Sequence, residues 1–238
     1  MKTMKKALAM TALAAAMIPA ANAVEVSGNV TLATDYKFRG YSQTDTSPAV
    51  QGGFDVGFDS GFYVGMWGSN VDFAKSLELD YYAGYAGEIN DSVSYDVGYI
   101  YYDYPGTPDE DDYEEFYASI SVSDFTFGLA YSDDYYFETG EFYYVYADYS
   151  FDLGGGYGLG LHYGFNSFDR DSNNADPGDN VFLADGDDYA DYSISLTKEW
   201  VGLEFGLSYV DTDIDSKESG VADSVTDGSF IFSISKSL

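Results

Sequence analysis

Apolar and polar residues alternate with a period of two along most of this chain, a pattern that predicts β-strands whose two faces meet different surroundings. In the first segment the even positions read Val24, Val26, Gly28, Val30, Leu32, Thr34, Tyr36 and Phe38. The odd positions read Glu25, Ser27, Asn29, Thr31, Ala33, Asp35, Lys37 and Arg39. A helix, whose side chains repeat about every 3.6 residues, would mix the two sets. The split recurs where Val50, Phe54, Val56 and Phe58 oppose Gln51, Asp55 and Asp59, and where Leu77, Leu79, Tyr81, Ala83 and Tyr85 oppose Glu78, Asp80 and Tyr82. It recurs again around 93–101, 125–131, 157–165 and 201–209, and less regularly at 62–70, 113–122, 142–151, 188–197 and 228–238. The reading gives twelve strands.

The connections carry a second regularity. Residues 59–61, 123–124, 152–156 and 198–200 read as tight turns and 87–92 as only slightly longer, whereas the links near 40–48, 71–76, 103–112, 132–141, 166–187 and 211–227 are mostly longer and acidic. Short and long links therefore alternate, as they do in membrane barrels with turns on one rim and loops on the other. Each strand offers about 9–11 alternating residues, enough to cross a bilayer when tilted. Aromatic residues fall near both strand ends: Tyr36, Phe38, Tyr101, Tyr131, Phe165 and Tyr209 at the loop rim, and Phe58, Phe62, Tyr85, Phe125, Phe151 and Tyr157 at the turn rim. Two such girdles match the two lipid–water interfaces. Closure is expected because an open sheet edge in hydrocarbon leaves backbone groups unpaired, at several kcal/mol each. The expected fold is all-β, a transmembrane antiparallel up-and-down barrel of about twelve strands occupying residues 24–238.

The first 23 residues read as a cleaved signal peptide. Lys2, Lys5 and Lys6 precede an apolar stretch that is too short to span a bilayer, and Ala21-Asn22-Ala23 forms a small-residue cleavage site. Export of a chain without cysteine excludes a disulfide framework and thiolate metal sites. A formal net charge of −31 excludes nucleic-acid binding, which relies on Lys and Arg to neutralise phosphates. High charge with few aromatics would suggest disorder, but 18% of residues are aromatic and 26 are glycine, a composition suited to sheets with tight turns.

The residues also carry a family resemblance. Asp35-Tyr36-Lys37-Phe38-Arg39-Gly40-Tyr41-Ser42-Gln43-Thr44 resembles the N-terminal signature of the TorF-type porins, as do the stretches 48–53, 61–71, 78–85 and 95–99. Beyond about residue 105 the likeness lies in the strand pattern and in the serine-rich last strand. The resemblance implies a bacterial outer-membrane porin and supplies no established substrate or catalytic residue.

By alternation the lumen face carries Glu25, Asp35, Lys37, Arg39, Asp55, Glu78, Asp80, Asp96, Glu115, Asp148, Asp191 and Glu204. Carboxylates outnumber the two cations, so the interior potential should be negative and cations favoured. Asp35, Lys37, Arg39, Asp55, Glu78, Asp80, Asp96 and Asp148 are the selectivity candidates. Arg39 stands out because a planar cation amid carboxylates can narrow a pore and order it. The alternative is that Lys37 and Arg39 pair with neighbouring carboxylates and side chains plug the barrel, since twelve strands fall between a filled barrel and an aqueous porin.

His162 is the sole histidine and falls on the lumen face among glycines; Ser and Asp are so common in this chain that finding them near it would prove nothing, so a lumen-lining or loop-packing role is expected and no catalytic residue is assigned. Asp211, Asp213 and Asp215 begin like a calcium loop, but Ser216 stands where the turn glycine belongs and Ala222 where the bidentate glutamate belongs. The expected function is passive diffusion of small solutes across the outer membrane of a Gram-negative bacterium, without cofactors. Lipid, lipopolysaccharide and the barrel-assembly machinery are the expected partners. The alternative is a non-conducting structural or adhesive barrel whose acidic loops bind divalent cations.

Overall fold

The N-terminal and C-terminal strands lie side by side, and this pairing closes the sheet. The computed structural model describes residues 24–73, 77–107, 112–136, 138–169, 188–215 and 222–238. The expected signal peptide, most of the 166–187 link and the middle of the 211–227 link lie outside the described residues.

In chain order the elements are β1 (Glu25–Ala33), β2 (Lys37–Phe38), β3 (Tyr41–Ser42), β4 (Ala49–Gly57), β5 (Phe62–Ser69), β6 (Glu78–Asn90) and β7 (Val93–Asp103). There follow β8 (Tyr113–Val122), β9 (Phe125–Ser132), β10 (Glu141–Gly154), β11 (Tyr157–Asp169), β12 (Tyr189–Trp200), β13 (Leu203–Thr212), a four-residue helix α1 (Asp223–Thr226) and β14 (Ser229–Ser237). All except β2, β3 and α1 form a closed barrel of twelve strands, each paired with its sequence neighbours. The seam is antiparallel, with Asn29 opposite Ser237 and Ala33 opposite Ser233. Every pairing in the ring is antiparallel.

Alternation has the expected meaning along these strands. Val26, Leu32, Phe54, Phe116, Leu129, Val145, Leu161, Ile194, Leu207 and Phe230 point outward and are exposed. Such a continuous apolar belt on a closed sheet is the surface that lipid requires. Phe62, Tyr85, Phe125, Phe151 and Tyr157 are exposed at the turn rim. At the loop rim Tyr131 packs on Tyr143 and Tyr209 on Phe230, with ring centroids 5.0 and 5.1 Å apart.

The departures are local and have physical causes. The turn between β12 and β13 lies at Val201-Gly202, beyond the expected 198–200. Positive φ at both residues (49° and 74°) makes it the two-residue hairpin whose twist matches antiparallel strands. Strand β6 runs on to Asn90, shortening the link expected at 87–92. The largest departure is in the first strand, which stops at Ala33 rather than continuing to Arg39. Residues 34–48 then turn into the barrel mouth and form the small hairpin β2–β3. Tyr36 and Phe38, expected on the lipid-facing girdle, are inside: Tyr36 packs edge-on to Trp67 and Phe38 to Tyr102.

Candidate functional site

The lumen has two differently furnished halves, and the tyrosines of β5–β10 determine both. In the half nearer the turns, several lumen-facing tyrosines lie across a glycine directly opposite on the next strand. Tyr63 covers Gly84, Tyr82 covers Gly65, Tyr117 covers Gly98 and Tyr146 covers Gly128. A Cβ at any of these glycines would collide with the ring. The glycine thus lets each ring lie flat on the wall. The phenols then reach carboxylates: Tyr63 donates to Asp96 at 2.7 Å and shares a 2.6 Å bond with Tyr117, while Tyr82 donates to Asp55. The facing wall carries short hydroxyls, among them Thr31 and Ser235, which are bonded across the seam at 2.9 Å.

The half nearer the loops is packed. Tyr102, Tyr104, Tyr113, Tyr135, Phe142 and Tyr144 form one buried cluster, and residues 34–48 seat against it. Tyr102 stacks on Tyr113 at 4.3 Å and Tyr135 on Phe142 at 4.1 Å. The inward segment is held by hydrogen bonds along its length. Asp35 accepts from Ser42 and Thr44 at 2.6 and 2.8 Å, which ties the hairpin to itself. Lys37 donates to the Asp227 carbonyl at 2.6 Å; burial lowers its ammonium from the ordinary range, opposed by the nearby Asp35, Asp211 and Asp227. Gly40, at φ 82°, lies so close to Thr212 that a Cβ there would clash.

Arg39 is the centre of this packing. Its two terminal nitrogens fork onto Glu115 at 2.7 and 2.8 Å, and the guanidinium lies 4.4–4.8 Å from the ring centroids of Phe38, Phe142 and Tyr144. Tyr102 donates to the same carboxylate at 3.2 Å, and Tyr189 donates to the Arg39 carbonyl at 3.1 Å. A rigid bidentate fork on a plane that can lie flat against rings is what a guanidinium offers and an ammonium, a point charge, does not.

The sequence candidates therefore divide by depth. Glu78 and Asp80 are buried beneath the inward segment, Glu78 accepting from Tyr36 and Tyr104 at 2.8 and 2.9 Å. Burial together with Glu78 pushes the Tyr104 phenol, just beyond β7, well above its ordinary range. Asp55 and Asp96 are half-buried on the lumen wall below. Asp148 bonds His162 Nδ1 at 2.6 Å, while Asp191 and Tyr144 meet His162 Nε2 at 3.0 and 2.7 Å. That row sets an imidazole between a carboxylate on one side and a carboxylate with a hydroxyl on the other. Both ring nitrogens face carboxylates, however, and a carboxylate only accepts, so the imidazole donates on both sides and has no lone pair left to take a proton from the Tyr144 hydroxyl, which is buried under Arg39 in this packed state.

Asp211 and Asp213 lie at the loop rim, where they are already engaged. Asp211 accepts from Tyr192 and Tyr209 at 3.1 and 3.0 Å, and Asp213 from the Ala190 amide at 2.7 Å. Among the described residues no group of three His, Cys, Asp or Glu side chains is placed so that it could hold a metal ion. Sequence reading placed Tyr82 on the lumen side but missed Tyr63, Tyr117 and Tyr146, although a signal was present: on neighbouring strands, tyrosine and glycine share the same lumen parity.

A closed antiparallel sheet with an apolar outer belt and a polar, tyrosine-lined lumen defines a membrane-spanning β-barrel. Within that class, the chain belongs to the family described as "Bacterial protein of unknown function (Gcw_chp)", which matches residues 18–238. A search of curated proteins finds no match. Among solved structures the fold is similar to the KdgM porin, with TM-score 0.58 and 10% identity over 89% of this chain and 99% of that one. It is also similar to the NanC porin, with TM-score 0.52 and 11% identity over 90% of this chain and 98% of that one. A KdgM porin in complex with disordered oligogalacturonate matches at TM-score 0.55 with 10% identity, over 90% of this chain and 98% of that one.

Proposed function

We propose that the chain is an outer-membrane porin through which small solutes diffuse passively, with cations favoured. The observation that carries this reading is the charge of the lumen. On the described lumen face Asp55, Asp96 and Glu204 are half-buried along the wall, while Lys37 and Arg39 are engaged at the mouth. A lumen whose wall carries more carboxylates than cations attracts cations and repels anions. The shared fold of the KdgM and NanC porins supports the reading, as does the N-terminal resemblance to TorF-type porins. Residues 1–23 would direct export, the apolar belt would meet lipid and lipopolysaccharide, and β14 would be presented to the barrel-assembly machinery. KdgM has been solved with an acidic sugar chain; an acidic lumen disfavours such a solute here.

The buried aromatic packing of the mouth favours a second reading, a closed structural or adhesive barrel whose acidic loops meet the outside. Purified protein in a planar bilayer under a salt gradient separates the two. The porin reading expects discrete conductance steps and a cation-selective reversal potential. Silence in the bilayer would leave the structural reading, and anion selectivity would remove the argument from lumen charge.

A further inference from the structure

The side chain of Arg39 is 5% exposed, yet the groups around its guanidinium come almost entirely from the barrel wall. Glu115 is on β8, Tyr102 on β7, Phe142 and Tyr144 on β10, and Tyr135 in the link just before β10; only Phe38 travels with the inward segment. The wall by itself therefore supplies a carboxylate fork and two ring faces around a space shaped for one planar cation. Glu115 is 2% exposed, and a buried carboxylate stripped of its partner is strongly unfavourable. Whenever the segment leaves, Glu115 must take up water, a proton or another cation, and of these only a cation restores the fork. A hydrated metal ion or an ammonium supplies charge without the parallel donors or the stacking face. A second guanidinium supplies all of them.

The segment's own backbone is not relaxed. Arg39 itself has φ 48°, a left-handed conformation costly for a residue with a Cβ, and Gly40 follows at 82°. The cage contacts hold that conformation in place. Arg39 Nε is buried and has no hydrogen-bond partner, so even the resident occupant leaves one donor unused.

We propose that the Glu115 cage is a guanidinium receptor occupied at rest by Arg39. A solute bearing a guanidinium group competes for it and releases residues 34–48 from the mouth. The exchange replaces one cation–carboxylate fork with another, so the buried charge stays compensated throughout. The receptor itself stands on geometry alone; its consequence for passage rests on the porin reading above. Because Arg39 is tethered, its effective concentration at the cage is high, on the order of millimolar, and a competing solute must reach that range.

The test uses the full chain folded in detergent micelles, with methylguanidinium as probe and methylammonium at equal ionic strength as control. Trp67, packed against Tyr36 at 5.4 Å, reports departure of the segment by its fluorescence, and trypsin cleavage after Lys37 or Arg39 reports it chemically. Methylguanidinium at tens of millimolar is expected to raise the cleavage rate several-fold, and methylammonium to leave it unchanged. In Arg39→Ala the vacated cage should bind methylguanidinium at least tenfold more tightly than wild type by saturation-transfer NMR. Adding Glu115→Gln to that variant should abolish binding. Equal release by both cations, or binding indifferent to Glu115→Gln, would overturn the proposal. Should Arg39→Ala not fold, Arg39→Lys keeps the charge without the fork. Methylguanidinium should then release the segment at least tenfold more readily than in wild type, and an unchanged midpoint refutes the receptor. Exchange in a barrel that never conducts would remove the porin reading alone; conduction without guanidinium discrimination would remove the receptor alone.

Discussion

The ring of Tyr63 lies across Gly84, its cross-strand partner, and its hydroxyl continues to Asp96 one strand further on. The glycine is the condition for the contact, because any side chain would occupy the space of the ring. Gly84→Leu should therefore lower stability by about 1–3 kcal/mol, the usual penalty for overpacking. The urea midpoint of the heat-modifiable gel band measures this. In the double variant Tyr63→Ala/Gly84→Leu part of the loss should return, because the collision is gone. A strictly additive loss would mean that the ring and the glycine are not coupled.

Glu115→Gln keeps the shape of the acceptor and removes its charge, leaving Arg39 buried without a counter-ion. Breaking a buried pair on one side costs about 3–5 kcal/mol. The least costly response is local, since residues 34–48 are not part of the ring. Trypsin should then cut after Lys37 or Arg39 many times faster than in wild type, while the barrel band keeps its shift on boiling. Unaltered cleavage would show that the segment is held by its other contacts.

Adjacent residues on β13 should answer oppositely to the same change. Leu207 is 48% exposed on the outer face and Ser208 is 5% exposed on the inner one. Arginine at 207 should cost about 2–4 kcal/mol in lipid vesicles, the penalty for a cation near the bilayer midplane. Arginine at 208 should cost less and should move the reversal potential toward anions. Urea titration in vesicles compares the two, and equal losses would contradict the assignment of faces.

Lumen depth makes a further distinction among the carboxylates. Asn at both Asp55 and Asp96 should weaken cation preference in bilayer recordings, because both lie on the open wall. Asp80→Asn should change it little, since Asp80 is 2% exposed beneath the aromatic layer. If Asp80 dominated selectivity, ions would have to pass through the packed mouth.

What was readable in the sequence follows from what alternation reports. It distinguishes two faces and so located the ring strands, because lipid and lumen demand different residues. It does not say which medium a face meets. Thr34 to Arg39 kept the alternation and yet left the wall, because both sets found partners inside: Tyr36 on Glu78, Phe38 on Tyr102, Arg39 on Glu115. The positive φ at Arg39 and Gly40, which turns the chain inward, leaves only a glycine as its trace. Where the lumen face is aromatic as well, as at Phe142, Tyr144 and Tyr146, the two faces look alike, and 142–151 read as a less regular strand. The pairing of Arg39 with Glu115 across 76 residues had no local signature at all.

That pairing has a mechanical side. Residues 34–48 leave the wall at β1 and are fastened at β8, which stands five places from β1 by the shorter way around the ring of twelve. A ring this wide, with little to fill its turn-side half, can flatten into an ellipse by small hinge motions at every strand pair. A tether crossing close to the diameter resists elongation along its own line, and the aromatic layer beneath it resists collapse. The segment that narrows the mouth is thus also its cross-brace, so loosening it should let the outline of the barrel fluctuate.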